Sequence, residues 1–290
     1  MSKYLTNAAV TEFDAEVKHQ YQGMGSLRNA VTVRNNVKAE AYKFARMGRG
    51  MAMQKASGAD VTPMDVSHAR QTAYLANWYA AEYTDIFDQA EVNYDEKSEL
   101  ATTIAKGLKR RTDQIIINTL AGASFASTND QDPDTALTVD LGAVNFIMSG
   151  VHRVVRHFQE LEMMGDTEIH AAVTAQAVQN LLQVDKVGSQ DYNGIRPLLE
   201  GELNVKWMGI IWNTIGVREE GGLPIIDSTN HYGYFWAKDA IGLAVGIDQR
   251  TEVNYIPVKT SWLCNGLMKM GAVLREPQGV VRIQYDPTAT

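Results

Sequence analysis

The clearest hydrophobic period in the chain runs from about residue 95 to residue 121. Leu100, Ile104, Leu108, Ile115 and Thr119 mark one stripe at helical spacing, and Ile116 and Leu120 widen it, which predicts one long amphipathic helix. Asp95 stands where an N-cap belongs, Glu96 follows in the first turn where the helix dipole favours an acid, and Gly122 supplies a stop. A second run, over about residues 140–164, puts Val144, Ile147, Met148, Val151, Val154, Val155, Phe158 and Leu161 on the same period and predicts a second helix. After it the segments shorten. Residues 169–173 read as a strand and Thr174 as the cap of a helix through Leu182. Residues 205–212, 223–226 and 232–236 read as further strands, and 240–246 as a small apolar helix or strand. The tail reads as strands at 251–256, 267–274 and 279–285, with polar loops at 123–138 and 184–202.

The first ninety or so residues lack such order. Phe13, Val17 and Tyr21 sit at helical spacing and suit a short amphipathic helix that Gly23 and Gly25 break, and residues 30–33 read as a short strand. In 36–80 the run Ala-Arg-Met-Gly-Arg-Gly-Met-Ala-Met at 45–53 precedes a turn signal at Ser57-Gly58-Ala59-Asp60 and then Pro63. The flanking arms can pair as a long hairpin, the return arm holding Tyr74, Leu75, Trp78 and Tyr79, and residues 81–92 join it to the long helix. The stretch has too little apolar periodicity to bury itself, so it is expected to lie on other copies of the chain. The expected contacts are Phe13 and Val17 in the arm and Phe44, Arg46, Met47, Arg49, Met51 and Met53 in the loop, methionine being adaptable at interfaces. Lys106, Lys109, Arg110 and Arg111 crowd the middle of the long helix, either as a solvated face or, for Arg110 and Arg111, as salt-bridge partners of another subunit.

Composition narrows the function classes. With 290 residues, 45% of them apolar, the chain can bury a large core in one or two domains. A net charge of −7 argues against a surface that grips polyanions, though not against a wall that encloses nucleic acid without holding it. No run of 18 apolar residues exists, so no membrane helix is expected. The N-terminal stretch carries acids where a signal peptide needs an apolar run, so the protein is expected to stay in the cytoplasm where it is made or to leave by lysis. The single cysteine, Cys264, excludes an internal disulfide and reads as a small core hydrophobe.

Motifs that carry chemistry are missing. The sequence has no phosphate loop, nucleophile elbow, HExxH or CxxC. His152 and His157 are five residues apart, so they point to different sides of a helix and read as polar-face side chains. Glu219-Glu220 and the triplet Asp130, Asp132 and Asp134 invite a metal, but the triplet lacks the glycine and closing Glu of a calcium loop. No catalytic residue, cofactor site or metal site is expected.

The order of these parts, with a closing stretch of strand (Ala272-Val273-Leu274), turn (Pro277, Gly279) and strand (Val280-Val281), resembles the major capsid proteins of tailed double-stranded DNA bacteriophages, those with the HK97-type fold. The resemblance implies an α+β fold divided into an N-terminal arm (1–35), an extended loop (36–80), the spine helix with the first part of a peripheral domain (81–166), an axial domain (167–238) and the return strands of the peripheral domain (239–290). It implies a shell protein, not an enzyme, that assembles through pentamers and hexamers into an icosahedral capsid around double-stranded DNA, without sequence-specific binding. The extended loop would lie over a neighbouring subunit and the arm would tie subunits together. A portal protein and, where one exists, a decoration protein would be partners. Some members carry a long N-terminal scaffolding segment; this arm is short, so a separate scaffolding protein is expected. Some also cross-link a loop lysine; Lys43 and Lys55 lie in that region, but nothing in the sequence positions an acceptor, so no cross-link is expected. Two alternatives stay open: an encapsulin-type bacterial compartment shell, whose cargo groove the Phe13/Val17 patch could help form, and an α/β enzyme or binding module on residues 140–250.

Overall fold

The structure, a computed structural model, describes residues 25–87, 95–127, 134–142, 144–183, 206–224 and 230–287. Its strands are β1 (Thr32–Arg34), β2 (Ala41–Met47), β3 (His68–Tyr74), β4 (Ala76–Asp85), β5 (Phe125–Ala126), β6 (Ala136–Asp140), β7 (Ile169–Val173), β8 (Ile210–Thr214), β9 (His231–Ala237), β10 (Ile241–Ile256), β11 (Ser261–Leu274) and β12 (Val280–Tyr285). Its helices are α1 (Glu96–Ala121), α2 (Met148–Glu160) and α3 (Ala175–Leu182). The strands form a four-stranded sheet in the order β1-β10-β11-β4, a six-stranded sheet in the order β5-β6-β12-β9-β7-β8, and the separate hairpin β2-β3. This is the expected α+β architecture.

The spine helix α1 forms where its stripe predicts, and it lies across the four-stranded sheet. Ile104, Leu108, Ile116, Ile117 and Leu120 are buried in one cluster with Cys264, Met268 and Met270 of β11. Close approach depends on Gly266 in β11, where a Cβ would overlap Ile104 Cγ2 and come within 2.9 Å of Leu108 Cδ1. Gly266→Val is therefore expected to force the helix off the sheet and cost about 3 kcal/mol. A thermal unfolding scan of the unassembled subunit checks this.

The six-stranded sheet is covered on both faces, which explains its unbroken apolar runs. Along β9, Tyr234 and Trp236 enter the cluster under α1, while Phe235 turns to the opposite cluster with Val281 and Ile283 of β12. That second cluster takes in Val151, Val154 and Phe158 of α2 and Ala177, Val178 and Leu181 of α3. Thr174 caps α3 as expected, its hydroxyl oxygen accepting from the Ala177 N–H at 3.2 Å. Elements expected beside the spine helix are thus divided: β10 and β11 complete its sheet, whereas β12 is a strand of the six-stranded sheet and α2 packs on that sheet. Pairing explains it, because β12 runs antiparallel to β9 from Val280↔Trp236 to Tyr285↔His231.

Several segment boundaries differ from the sequence reading. The second helix begins at Met148 instead of near 140, because residues 136–140 form β6, a strand parallel to β12 within what reads as a polar loop. Segments 240–246 and 251–256 are one 16-residue strand, β10, which crosses two bulges between Val245 and Arg250. Its partner β11 begins at Ser261, six residues before the expected start at 267. β8 is displaced to Ile210–Thr214. Leu223 makes only an isolated bridge to Val217, and the rest of the expected 223–226 strand beyond Pro224 lies outside the described residues. The return arm 68–79 is two strands that part at Leu75, and β4 runs through residue 80, the expected end of the loop, to pair with β11.

Candidate assembly interface

The β2-β3 hairpin has an anchored base and a bare tip. At the base, Tyr42 and Phe44 share one face of β2, their rings edge to face at 4.8 Å. Phe44 is 8% exposed and seats on Gly242 of β10, where a Cβ would lie only 2.7 Å from Phe44 Cζ. The Arg275 guanidinium lies over the same ring at 5.4 Å. Phe44 was expected at a subunit contact, but its own chain covers it. Arg46 likewise turns inward, pairing with Asp134 at 3.1 Å and Glu276 at 3.4 Å. These contacts clamp the hairpin to both sheets' connecting loops. Beyond Met47 ladder pairing gives way to a single bond from the Gly48 N–H to Ser67 O, and Met47, Arg49, Met51, Met53, Val61 and Met64 stand exposed.

The spine-helix arginines are also engaged within the chain. Arg111 lies over the Trp78 ring at 4.8 Å and pairs with Glu220 at 3.2 Å, so it is neither a plain solvated face nor an uncommitted partner for another subunit. Arg110 is half-buried, with its backbone carbonyl oxygen 2.7 Å from where a Cβ on Gly221 would lie.

The short turn Leu27–Ala30, near the start of the described residues, is built around a residue that sequence reading passed over. Asp113, on the buried side of α1, accepts hydrogen bonds from the Ser26 N–H at 2.9 Å and the Leu27 N–H at 3.0 Å, capping the short turn Leu27–Ala30. Burial raises its pKa, against the lowering effect of those two donors and of Arg218. Gly25 adopts φ +76 against the spine helix, with a hypothetical Cβ 2.7 Å from Lys109 O. Arg28 adds a two-pronged pair with Asp248 at 2.7 and 2.8 Å. The available signal was a lone acid three and four residues before Ile116 and Ile117 on the apolar stripe. Phe13 and Val17 lie outside the described residues.

A second surface lies on the outer face of the four-stranded sheet and its rim. Tyr79 is 81% exposed and Phe87 71%, and Val258 stands at 95% in the turn between β10 and β11. Tyr83 lies under the Lys259 ammonium at 3.9 Å.

The interior holds two histidines on which pH acts. His157 is buried, not on the polar face of α2, with Nε2 3.0 Å from Gln278 O. His170 is 6% exposed, stacked beside Trp236 at a centroid distance of 6.2 Å. Burial holds both below the usual histidine value; Gln278 and Glu160 oppose the shift at His157, and Glu168 opposes it at His170 while Lys238 adds to it. The unfolded chain therefore takes up these protons first. Stability is full above the unfolded value of 6.5 and falls as pH drops below it through the lowered folded values. Denaturant midpoints of the unassembled subunit at pH 7.5 and 5.5 are expected to be lower at the acid value, and less so in His157→Gln.

Cys264 is fully buried, with its thiol pushed up by burial. Among the described residues, no group of three or more His, Cys, Asp or Glu side chains could hold a metal ion, and no helix is long and apolar enough to cross a membrane.

Comparison with known proteins agrees with this geometry. The family described as phage capsid protein matches residues 5–287. The fold is similar to the capsid of cyanophage P-SCSP1u, at 16% identity and a TM-score of 0.76 over 97% of this chain and 94% of that one. The capsid of the native GTA particle gives 16% identity and a TM-score of 0.72 over 98% and 96% of the two chains. The head of Helicobacter pylori bacteriophage KHP40 gives 11% and 0.70 over 98% and 97%. At these identities the likeness is one of fold. No curated protein matches the sequence.

Proposed function

The chain belongs to the phage capsid protein family, and from that membership we propose that its copies assemble through pentamers and hexamers into the icosahedral shell that encloses a double-stranded DNA genome. Family and fold imply a structural role and not an enzymatic one, in the capsid of a virion, and they do not favour the encapsulin alternative.

The observation that carries the assembly reading is the hairpin tip. Its base is fixed by Phe44 and Arg46, so the tip projects as a held arm, yet its large apolar side chains find no cover among the described residues. A neighbouring copy is the cover the reading supplies, with Met47, Arg49, Met51 and Met53 at the contact. The N-terminal arm ties adjacent subunits, with Phe13 and Val17 at the contact. Assembly takes place in the host cytoplasm with a separate scaffolding protein, and a portal protein and any decoration protein join the same shell. The spine arginines brace each subunit internally, and the DNA is enclosed, not gripped, as the net charge of −7 suits.

Cross-linking of particles made from mixed light- and heavy-isotope copies tests the contact. Lys55 in the exposed tip is expected to link to a body lysine such as Lys97 or Lys269 of a differently labelled copy. Links of Lys55 confined to its own copy would contradict the reading.

A further inference from the structure

The methionines of this chain divide by exposure. Met268 and Met270 are 2% and 0% exposed under α1, and the other described methionines outside the hairpin are half-buried. Met47, Met51, Met53 and Met64 are 67%, 80%, 67% and 54% exposed, and all four lie on the β2-β3 hairpin tip. The two limbs of the tip bring them near one another: Met64 Sδ sits 3.0 Å from where a Cβ on Gly50 would lie. The one thiol, Cys264, is fully buried. Among the described residues, the sulfur-bearing side chains most open to a dissolved oxidant are thus gathered on one projecting element.

We infer that this cluster is an oxidation site that controls whether free subunits can join a shell. Hydrogen peroxide transfers one oxygen atom to a thioether sulfur, which becomes a sulfoxide; the O–O bond breaks and the remaining oxygen leaves as water. The sulfur loses two electrons and the peroxide gains them. The product side chain is polar and stiffer, unsuited to an apolar contact, and a methionine sulfoxide reductase with a thiol reductant reverses it. The inference rests on the reading that the tip packs on another copy. Each buried methionine that turns polar then weakens its contact about tenfold.

The test treats unassembled wild-type chain with hydrogen peroxide, locates sulfoxides by peptide mass spectrometry and follows shell formation by light scattering. The expected result is oxidation at the four tip methionines ahead of Met268 and Met270, loss of assembly at unchanged far-UV circular dichroism, and recovery after reductase treatment. In a variant with Met47, Met51, Met53 and Met64 all replaced by Leu, whatever assembly remains is expected to be the same with and without the peroxide. Reductase recovery on the wild type keeps the test valid if that variant folds poorly. Even oxidation across all methionines, or full assembly by chain oxidised at the tip, would overturn the inference. The underlying reading fails separately, through tip variants bearing Asp that still assemble.

Discussion

Replacing Met51 and Met53 together by Asp is expected to abolish shell formation while leaving the subunit folded. Both side chains are exposed in the single chain, at 80% and 67%, and neither enters a buried cluster. In the free subunit such surface changes shift stability by only about 0.5 kcal/mol. On the proposed packing a neighbour covers the same positions in a shell, and an unpaired carboxylate there would cost several kcal/mol. That penalty recurs at every copy, so a modest loss per contact removes the assembly as a whole. Sedimentation velocity measures particle content, and circular dichroism melting measures fold. Normal particles from the double variant would remove the tip from the interface.

The largest effect on the subunit itself is expected at Trp236. It is fully buried in the middle of β9, between β12 and β7, and its Nε1–H donates to Ala30 O at 2.8 Å. It therefore joins the six-stranded sheet to the turn that Asp113 caps. Trp236→Ala is expected to cost about 3–5 kcal/mol for the cavity, and about 1 kcal/mol more for the orphaned carbonyl. Set against a typical stability of about 5–15 kcal/mol, that leaves a marginal fold. Trp236→Phe keeps most of the ring and loses the hydrogen bond, for about 1–2 kcal/mol. Urea midpoints of the unassembled subunits check the order, alanine far below phenylalanine and phenylalanine below wild type.

What sequence reveals here follows from how local each signal is. The spine helix and the β7–Thr174–α3 unit are legible because their stripe, cap and stop lie within one segment. Strand β10 divides in the sequence because its first five residues are buried and the outer half is mostly exposed, so one strand carries two patterns. β6 is hidden for the opposite reason: Leu137 and Val139 alternate for only five residues beside the apolar run that leads into α2. His157 looks polar by type, yet it stands three residues after Val154 on the buried side of α2. Among the expected contacts, Met47, Arg49, Met51 and Met53 do stand exposed on the tip. Phe44 does not, because its cover is Gly242, about two hundred residues away in sequence, and no local pattern announces that pairing. Arg46 and Arg111 are committed to Asp134, Glu276 and Glu220 by the same kind of long-range contact.

Electron microscopy of the purified full-length chain, expressed with and without a candidate scaffolding protein, bears on all of this at once. Closed icosahedral shells or capsomer sheets, in which the hairpin tip density of one subunit lies on the next, are the expected result. A monodisperse monomer that persists with the scaffold and at high concentration would contradict it.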